Sequence, residues 1–85
     1  MWSVVYSAGA AKTLARMPRN TADLIRRKIL ALAHDPYAIN RNVKALVGRP
    51  GYRLRVGDWR VIYELHSHRL VVQVLTIAPR ESAYR

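Results

Sequence analysis

Gly51-Tyr52-Arg53-Leu54-Arg55-Val56-Gly57-Asp58-Trp59-Arg60-Val61-Ile62-Tyr63-Glu64-Leu65 reads as a β-hairpin. Two alternating runs rich in β-branched and aromatic residues flank Gly57-Asp58, a good two-residue turn. That turn sets the register: Val56 faces Trp59, Arg55 faces Arg60, Leu54 faces Val61, Arg53 faces Ile62 and Tyr52 faces Tyr63. Successive side chains point to opposite faces of a strand. One face therefore carries Tyr52, Leu54, Val56, Trp59, Val61 and Tyr63, and is expected to meet the core. The other carries Arg53, Arg55 and Arg60. Like charges directly opposite each other destabilise a sheet, so the Arg55–Arg60 pair suggests an anion site. The plainer reading is that arginines on an outer sheet face simply lay their stems along the surface and keep their heads in water. Glu64 lies on the same face, where it could partly neutralise Arg53.

Outward from the hairpin, the chain is one 85-residue domain, spanning 1–85. It holds no cysteine, which removes disulfides and thiolate metal sites and fits a reducing cytoplasm. No apolar run approaches membrane-spanning length, and the start lacks the layout of a signal peptide. Fifteen Lys and Arg against five Asp and Glu leave a net charge of +10, and twelve of the fifteen are arginine. The planar fork of arginine suits phosphate, so this balance points to a polyanion or an acidic protein partner.

Before the hairpin, Trp2-Ser3-Val4-Val5-Tyr6 is a short strand. Ser7 caps a first helix over about Ala8 to Met17, whose buried side is read as Ala11, Leu14, Ala15 and Met17. Pro18 closes it. A second helix, capped by Asn20 or Thr21, buries Ala22, Ile25, Ile29, Leu32 and Ala33 and ends before Pro36. Its outer side carries Arg26, Arg27 and Lys28, either a solvated face or a second polyanion contact. Val43-Lys44-Ala45-Leu46 is expected to form a helical turn or a docked loop. After the hairpin, His66-Ser67-His68-Arg69 leads into the apolar strand Leu70 to Ala78. If Leu65 faces Leu70, Val72 and Val74 join the core, and Leu75 and Ile77 lie beside the arginines as an apolar floor. The expected fold is α+β, in the order β-α-α-β-β-β. A mostly antiparallel four-stranded sheet would carry two helices on one face and the arginines on the open one.

The candidate chemistry is narrow. His66, His68 and His34 lack metal-ligand spacing, so neither a metal nor another cofactor is expected. Paired carboxylates, a phosphate-cradling glycine loop and a nucleophilic triad are missing from the sequence.

Arg53, Arg55, the run Gly57-Asp58-Trp59-Arg60-Val61-Ile62-Tyr63, the apolar strand and the Arg80…Tyr84 ending resemble the RelE/ParE toxin superfamily, and RelE-type toxins most. The resemblance covers nearly the whole chain, including Lys44-Ala45-Leu46 before the hairpin. It implies a RelE-like fold and the toxin of a bacterial type II toxin–antitoxin module. Such a toxin enters the ribosomal A site and cuts mRNA without a metal, through attack of the message's own 2′-hydroxyl. It further implies catalytic roles for Arg60, Arg80 and Tyr84. Arg53, Arg55 and Lys44 would bind RNA, with Arg26, Arg27 and Lys28 as further contacts. The implied partners are the ribosome, its mRNA and an acidic antitoxin seated on Leu75 and Ile77. Two departures bear on mechanism. Arg53 and Arg55 stand where the RelE-type pattern has lysines, and arginine cannot serve as a base, which leaves Tyr84 or a group of the ribosome. Pro79 stands where many relatives have histidine. A ParE-type inhibitor of DNA gyrase, or an inactive RNA- or protein-binding module, is the alternative on the same fold.

Overall fold

The computed structural model describes residues 1–80. The order is β1 (Ser3–Tyr6), α1 (Ala8–Arg16), α2 (Arg19–His34), β2 (Val43–Ala45), β3 (Tyr52–Val56), β4 (Trp59–His66) and β5 (Val71–Pro79). The five strands form one sheet in the order β1-β5-β4-β3-β2, with β1 parallel to β5 and every other pair antiparallel. Both helices pack on one face: α1 against β5, α2 against β1 and β3.

The expected class holds, with one strand more than expected. Val43–Ala45 is neither a helical turn nor a docked loop. It pairs with β3, Val43 to Leu54, Lys44 to Arg53 and Ala45 to Tyr52. Three residues are too few to show a periodicity, and the pairing that makes them a strand comes from β3.

The β3–β4 register is the one the turn dictates, from Val56 opposite Trp59 to Tyr52 opposite Tyr63. Gly57 takes φ +57°, the left-handed side that a II′ hairpin turn needs at its first central residue. The next hairpin differs from expectation. Its turn is the four residues 67–70, and Leu65 faces Val72 rather than Leu70. The two-residue slip preserves parity, so Val72 and Val74 still enter the core.

A bulge breaks that parity further along β5. Tyr63 pairs with Val74 and Ile62 with Thr76, leaving Leu75 without an opposite residue. An extra residue in one strand of a pair disrupts the alternation locally. Ile77, opposite Val61, therefore points to the helices and is 3% exposed. The expectation that Ile77 lines the arginine face is corrected by this bulge. Leu75 is half-buried, and its carbonyl accepts a hydrogen bond from Ser7 Oγ at 2.7 Å.

The helices place the core. Ala22, Ile25, Ile29, Leu32 and Ala33 of α2 are buried, as their spacing requires. In α1 the buried residues are Ala10 and Leu14, with Met17 partly buried, while Ala11 and Ala15 are exposed. Alanines on both sides of that helix make its apolar stripe too broad to locate from sequence. Ser7 caps α1, accepting from the Ala10 N–H at 3.0 Å. α2 begins earlier than expected, with Pro18 at its N-cap and no side-chain cap; Asn20 Oδ1 accepts from the Thr21 N–H instead.

Candidate nucleic-acid interface

On the face away from the helices, antiparallel pairing builds a row of cations strand by strand. Lys44 of β2 stands opposite Arg53 of β3, and Arg55 of β3 stands opposite Arg60 of β4. The Arg55 N–H donates to the Asn42 carbonyl at 2.8 Å, on the β2 side. Arg55 and Arg60 are therefore a non-hydrogen-bonded pair, the kind whose side chains come closest. Arg41, Asn42, Lys44, Arg53, Arg55 and Arg60 together line a polar cavity of about 270 Å³. Its described lining contains no carboxylate. Glu64 lies further along the same face, with its Oε1 3.7 Å from His66 Nε2.

Arg60 is not an ordinary surface arginine. It is 8% exposed, and its Nη1 donates to the carbonyls of Trp59 at 3.0 Å and Gly57 at 3.3 Å. Two backbone oxygens hold the guanidinium under the hairpin turn, with its charge directed into the cavity wall. Arg55 across from it is exposed. One arginine is thus fixed by the fold, while its neighbour is free to follow a ligand. Five cations around one cavity repel one another, and a bound anion would offset that repulsion.

Arg80 extends the ladder past β5: its backbone N–H donates to the Asp58 carbonyl at 2.9 Å. This puts its main chain beside the Gly57-Asp58 turn, at the rim of the sheet end that carries Arg60; its side chain is exposed and is not among the groups lining the cavity. Tyr84 lies outside the described residues. Arg26, Arg27 and Lys28 are exposed on α2, with the sheet between them and the cavity, so they form a separate surface. Arg26 is bound to Asp23 at 3.4 Å. Sequence reasoning missed Arg41 and Asn42, which enter the site only because β2 pairs with β3.

Tyr63 illustrates the other face. It is fully buried, stacks on Tyr52 with ring centroids 5.5 Å apart, and its hydroxyl has no hydrogen-bond partner among the described residues. Burial, and to a lesser extent the neighbouring Tyr52, push its phenol well above the ordinary value. Burial also raises Tyr6, an effect that Arg26 partly opposes.

Comparison with known proteins agrees with this architecture. The archaeal RelE–RelB complex of Pyrococcus horikoshii OT3 contains a chain 27% identical, with TM-score 0.80, covering 96% of this chain and 98% of that one. The intact E. coli RelBE toxin–antitoxin complex gives 18% identity and TM-score 0.79 over 93% of this chain and 96% of that one. The isolated E. coli RelE toxin, in its P21 form, gives 19% and 0.80 over 98% and 88%. No curated protein sequence matches. The family model for the ParE toxin of the type II toxin–antitoxin system parDE matches residues 4–84. With the model spanning almost the whole chain and the fold that of the RelE toxins, this protein belongs to the ParE toxin family of type II toxin–antitoxin systems, within the RelE/ParE superfamily.

Proposed function

We infer that this toxin acts in the cytoplasm as a ribosome-dependent mRNA endoribonuclease, restrained by an acidic antitoxin. The observation that carries the reading is the cavity of Arg41, Asn42, Lys44, Arg53, Arg55 and Arg60, a concentration of phosphate-binding groups on an open sheet face. In the reaction the 2′-oxygen of one nucleotide attacks the adjacent phosphorus while the bond from phosphorus to the 5′-oxygen breaks. The products are a 2′,3′-cyclic phosphate and a 5′-hydroxyl. The 2′-hydroxyl gives up a proton and the leaving oxygen gains one. Negative charge builds on the phosphoryl oxygens in between, and fixed cations aimed at that charge lower the barrier. Arg60, held by two carbonyls, is the preorganised member, and Arg55 and Arg53 close on the phosphate. Arg80, at the rim, serves the leaving side.

Arginines bind and neutralise but cannot take the proton. That leaves Tyr84 in the tail or a group of the ribosome, as the sequence implied, and Lys44, which lines the cavity, is added to them. Single-turnover cleavage on programmed ribosomes separates them: the base position shows a loss of about 10²-fold or more in Tyr84→Phe or Lys44→Met. Wild-type cleavage in both variants would assign the base to the ribosome. The antitoxin is expected to place carboxylates on the cavity and apolar side chains near Leu75; the similar E. coli structure is that of a toxin–antitoxin complex, and the P. horikoshii one that of a RelE–RelB complex.

The family model itself, that of ParE toxins, favours a second reading, inhibition of DNA gyrase. Induction of the toxin alone, followed by primer extension on cellular mRNA, decides between them. Codon-phased 5′ ends, lost in Arg55→Ala, are expected. Intact mRNA accompanied by DNA damage would establish the gyrase reading instead.

A further inference from the structure

A second cavity, of about 310 Å³, adjoins the first along the β2 edge, lined by Lys44, Ala45, Leu46, Val47, Arg49 and Arg53. The two share Lys44 and Arg53, so whatever chain lies in one is led into the other. Their linings differ in kind. The first is mostly polar, with arginines grouped around Asn42. The second sets Arg49, Arg53 and Lys44 around the apolar Ala45, Leu46 and Val47, with no carboxylate among the described lining residues.

The β2–β3 loop that forms its far wall is closed at its base by a backbone hydrogen bond. The Leu46 N–H donates to the Gly51 carbonyl at 3.0 Å. Gly51 sits at φ +112°, where a Cβ would come within 2.8 Å of the Tyr63 carbonyl, so this corner is pressed against β4 and admits no side chain. Gly48 turns the tip at φ +77°. The loop so held presents Val47, 97% exposed, next to the exposed Arg49. A fully exposed β-branched side chain beside an exposed guanidinium contributes nothing to the core.

We propose that the Leu46–Gly51 loop and Lys44 form a flanking-nucleotide subsite for single-stranded RNA. Arg49 contacts the phosphate next to the one held by Arg55 and Arg60, and Leu46 and Val47 support the intervening sugar and base. This rests on the RNA reading of the first cavity and extends it by one nucleotide. Mixed apolar and cationic walls suit a nucleotide: charge for the phosphate and van der Waals contact for the sugar and base. Lys44 and Arg53, shared by both cavities, make the path between them continuous.

The test is fluorescence anisotropy with the full chain and uncleavable RNA, carrying a 2′-deoxy residue at the cleaved position, in di- and tetranucleotide lengths. Arg49→Ala is expected to weaken the tetranucleotide by about tenfold and to reduce its log–log salt slope by about 0.7, one single-strand phosphate contact. Dinucleotide binding should be unchanged. Val47→Asp should weaken the tetranucleotide alone as well. Both positions are exposed, and circular dichroism verifies the fold of each variant. If Arg55→Ala abolishes binding of both lengths while Arg49→Ala and Val47→Asp alter neither, the subsite is overturned and the RNA reading stands. If Arg55→Ala also leaves RNA binding unchanged, both fall. Loss of affinity for an acidic peptide but not for RNA in Arg49→Ala overturns the subsite in favour of a protein-docking loop.

Discussion

Arg55 and Arg60 face one another across the hairpin, yet the fold treats them differently. On pairing alone, removing either would relieve repulsion. Arg60, however, satisfies two backbone carbonyls from a buried position, and hydrogen bonds from a charged donor contribute about 1.5–3 kcal/mol each when well made. With one bond at 3.0 Å and one at 3.3 Å, Arg60→Ala is expected to lose about 1–2 kcal/mol in urea denaturation. Arg55→Ala should be neutral or slightly stabilising, and a reversed order would mean the two carbonyl contacts contribute little. Arg55 is consequently the cleaner probe of function. Tyr63 supplies a residue-scale pH effect. Its folded pKa lies above its ordinary value of 10.0, so above about pH 10 the unfolded chain releases a proton that the folded chain retains. Stability is complete below pH 10 and falls as pH rises, by up to about 1.4 kcal/mol per pH unit for this group. Tyr63→Phe should flatten that alkaline fall relative to the parent. At pH 7 it should cost nothing, because the hydroxyl it removes has no hydrogen-bond partner among the described residues. Denaturant titrations at pH 7, 10 and 11 measure both effects; an equally steep alkaline fall in the variant would refute the assignment.

Among the elements, the junction of β1, α1 and β5 turns on one hydroxyl. Ser7 accepts from the Ala10 N–H and donates to the Leu75 carbonyl at the bulge. The same side chain caps the helix and secures the point where β5 departs from regular pairing. Ser7→Ala is expected to cost about 1–2 kcal/mol, the upper part of the N-cap range, with faster amide exchange at Leu75 and Thr76. A loss confined to the first turn of α1 would show that the bulge stands without it. The cap was legible in the sequence, because a serine before an apolar-periodic run has few other uses. Its second bond was not, since Ser7 and Leu75 are 68 positions apart. β2 teaches the same lesson. Three residues acquire strand identity from their partner, and only that partner brings Arg41 and Asn42 to the cavity.

At the scale of the whole molecule, two concentrations of positive charge lie with the sheet between them. One is the cavity on the open face, the other the exposed side of α2 with Arg26, Arg27 and Lys28. With +10 overall, association with an acidic partner should be steered over long range. The association rate, measured by stopped flow, is expected to fall by at least about tenfold between low and high salt. A rate indifferent to salt would place the partner's contact on apolar surface instead.

Gly57-Asp58 and the strict alternation around it determined the central hairpin by themselves, down to Arg55 opposite Arg60, because a two-residue turn leaves one register and a one-residue slip would send every apolar side chain into water. The spacing in α2 determined its buried face for the same kind of reason: one local period, one solution. The resemblance read from the Arg53-to-Tyr63 run likewise led to the right superfamily. Only the tertiary structure decided what depends on distant partners. A bulge at Leu75, invisible to a period-two count in a strand apolar on both sides, turned Ile77 into the core. Pairing with β3 made β2 a strand and completed the cavity. The backbone of the turn drew Arg60 out of solvent. Local periodicity records which side of an element is buried, whereas the neighbour it is buried against is set by the closing of the whole sheet.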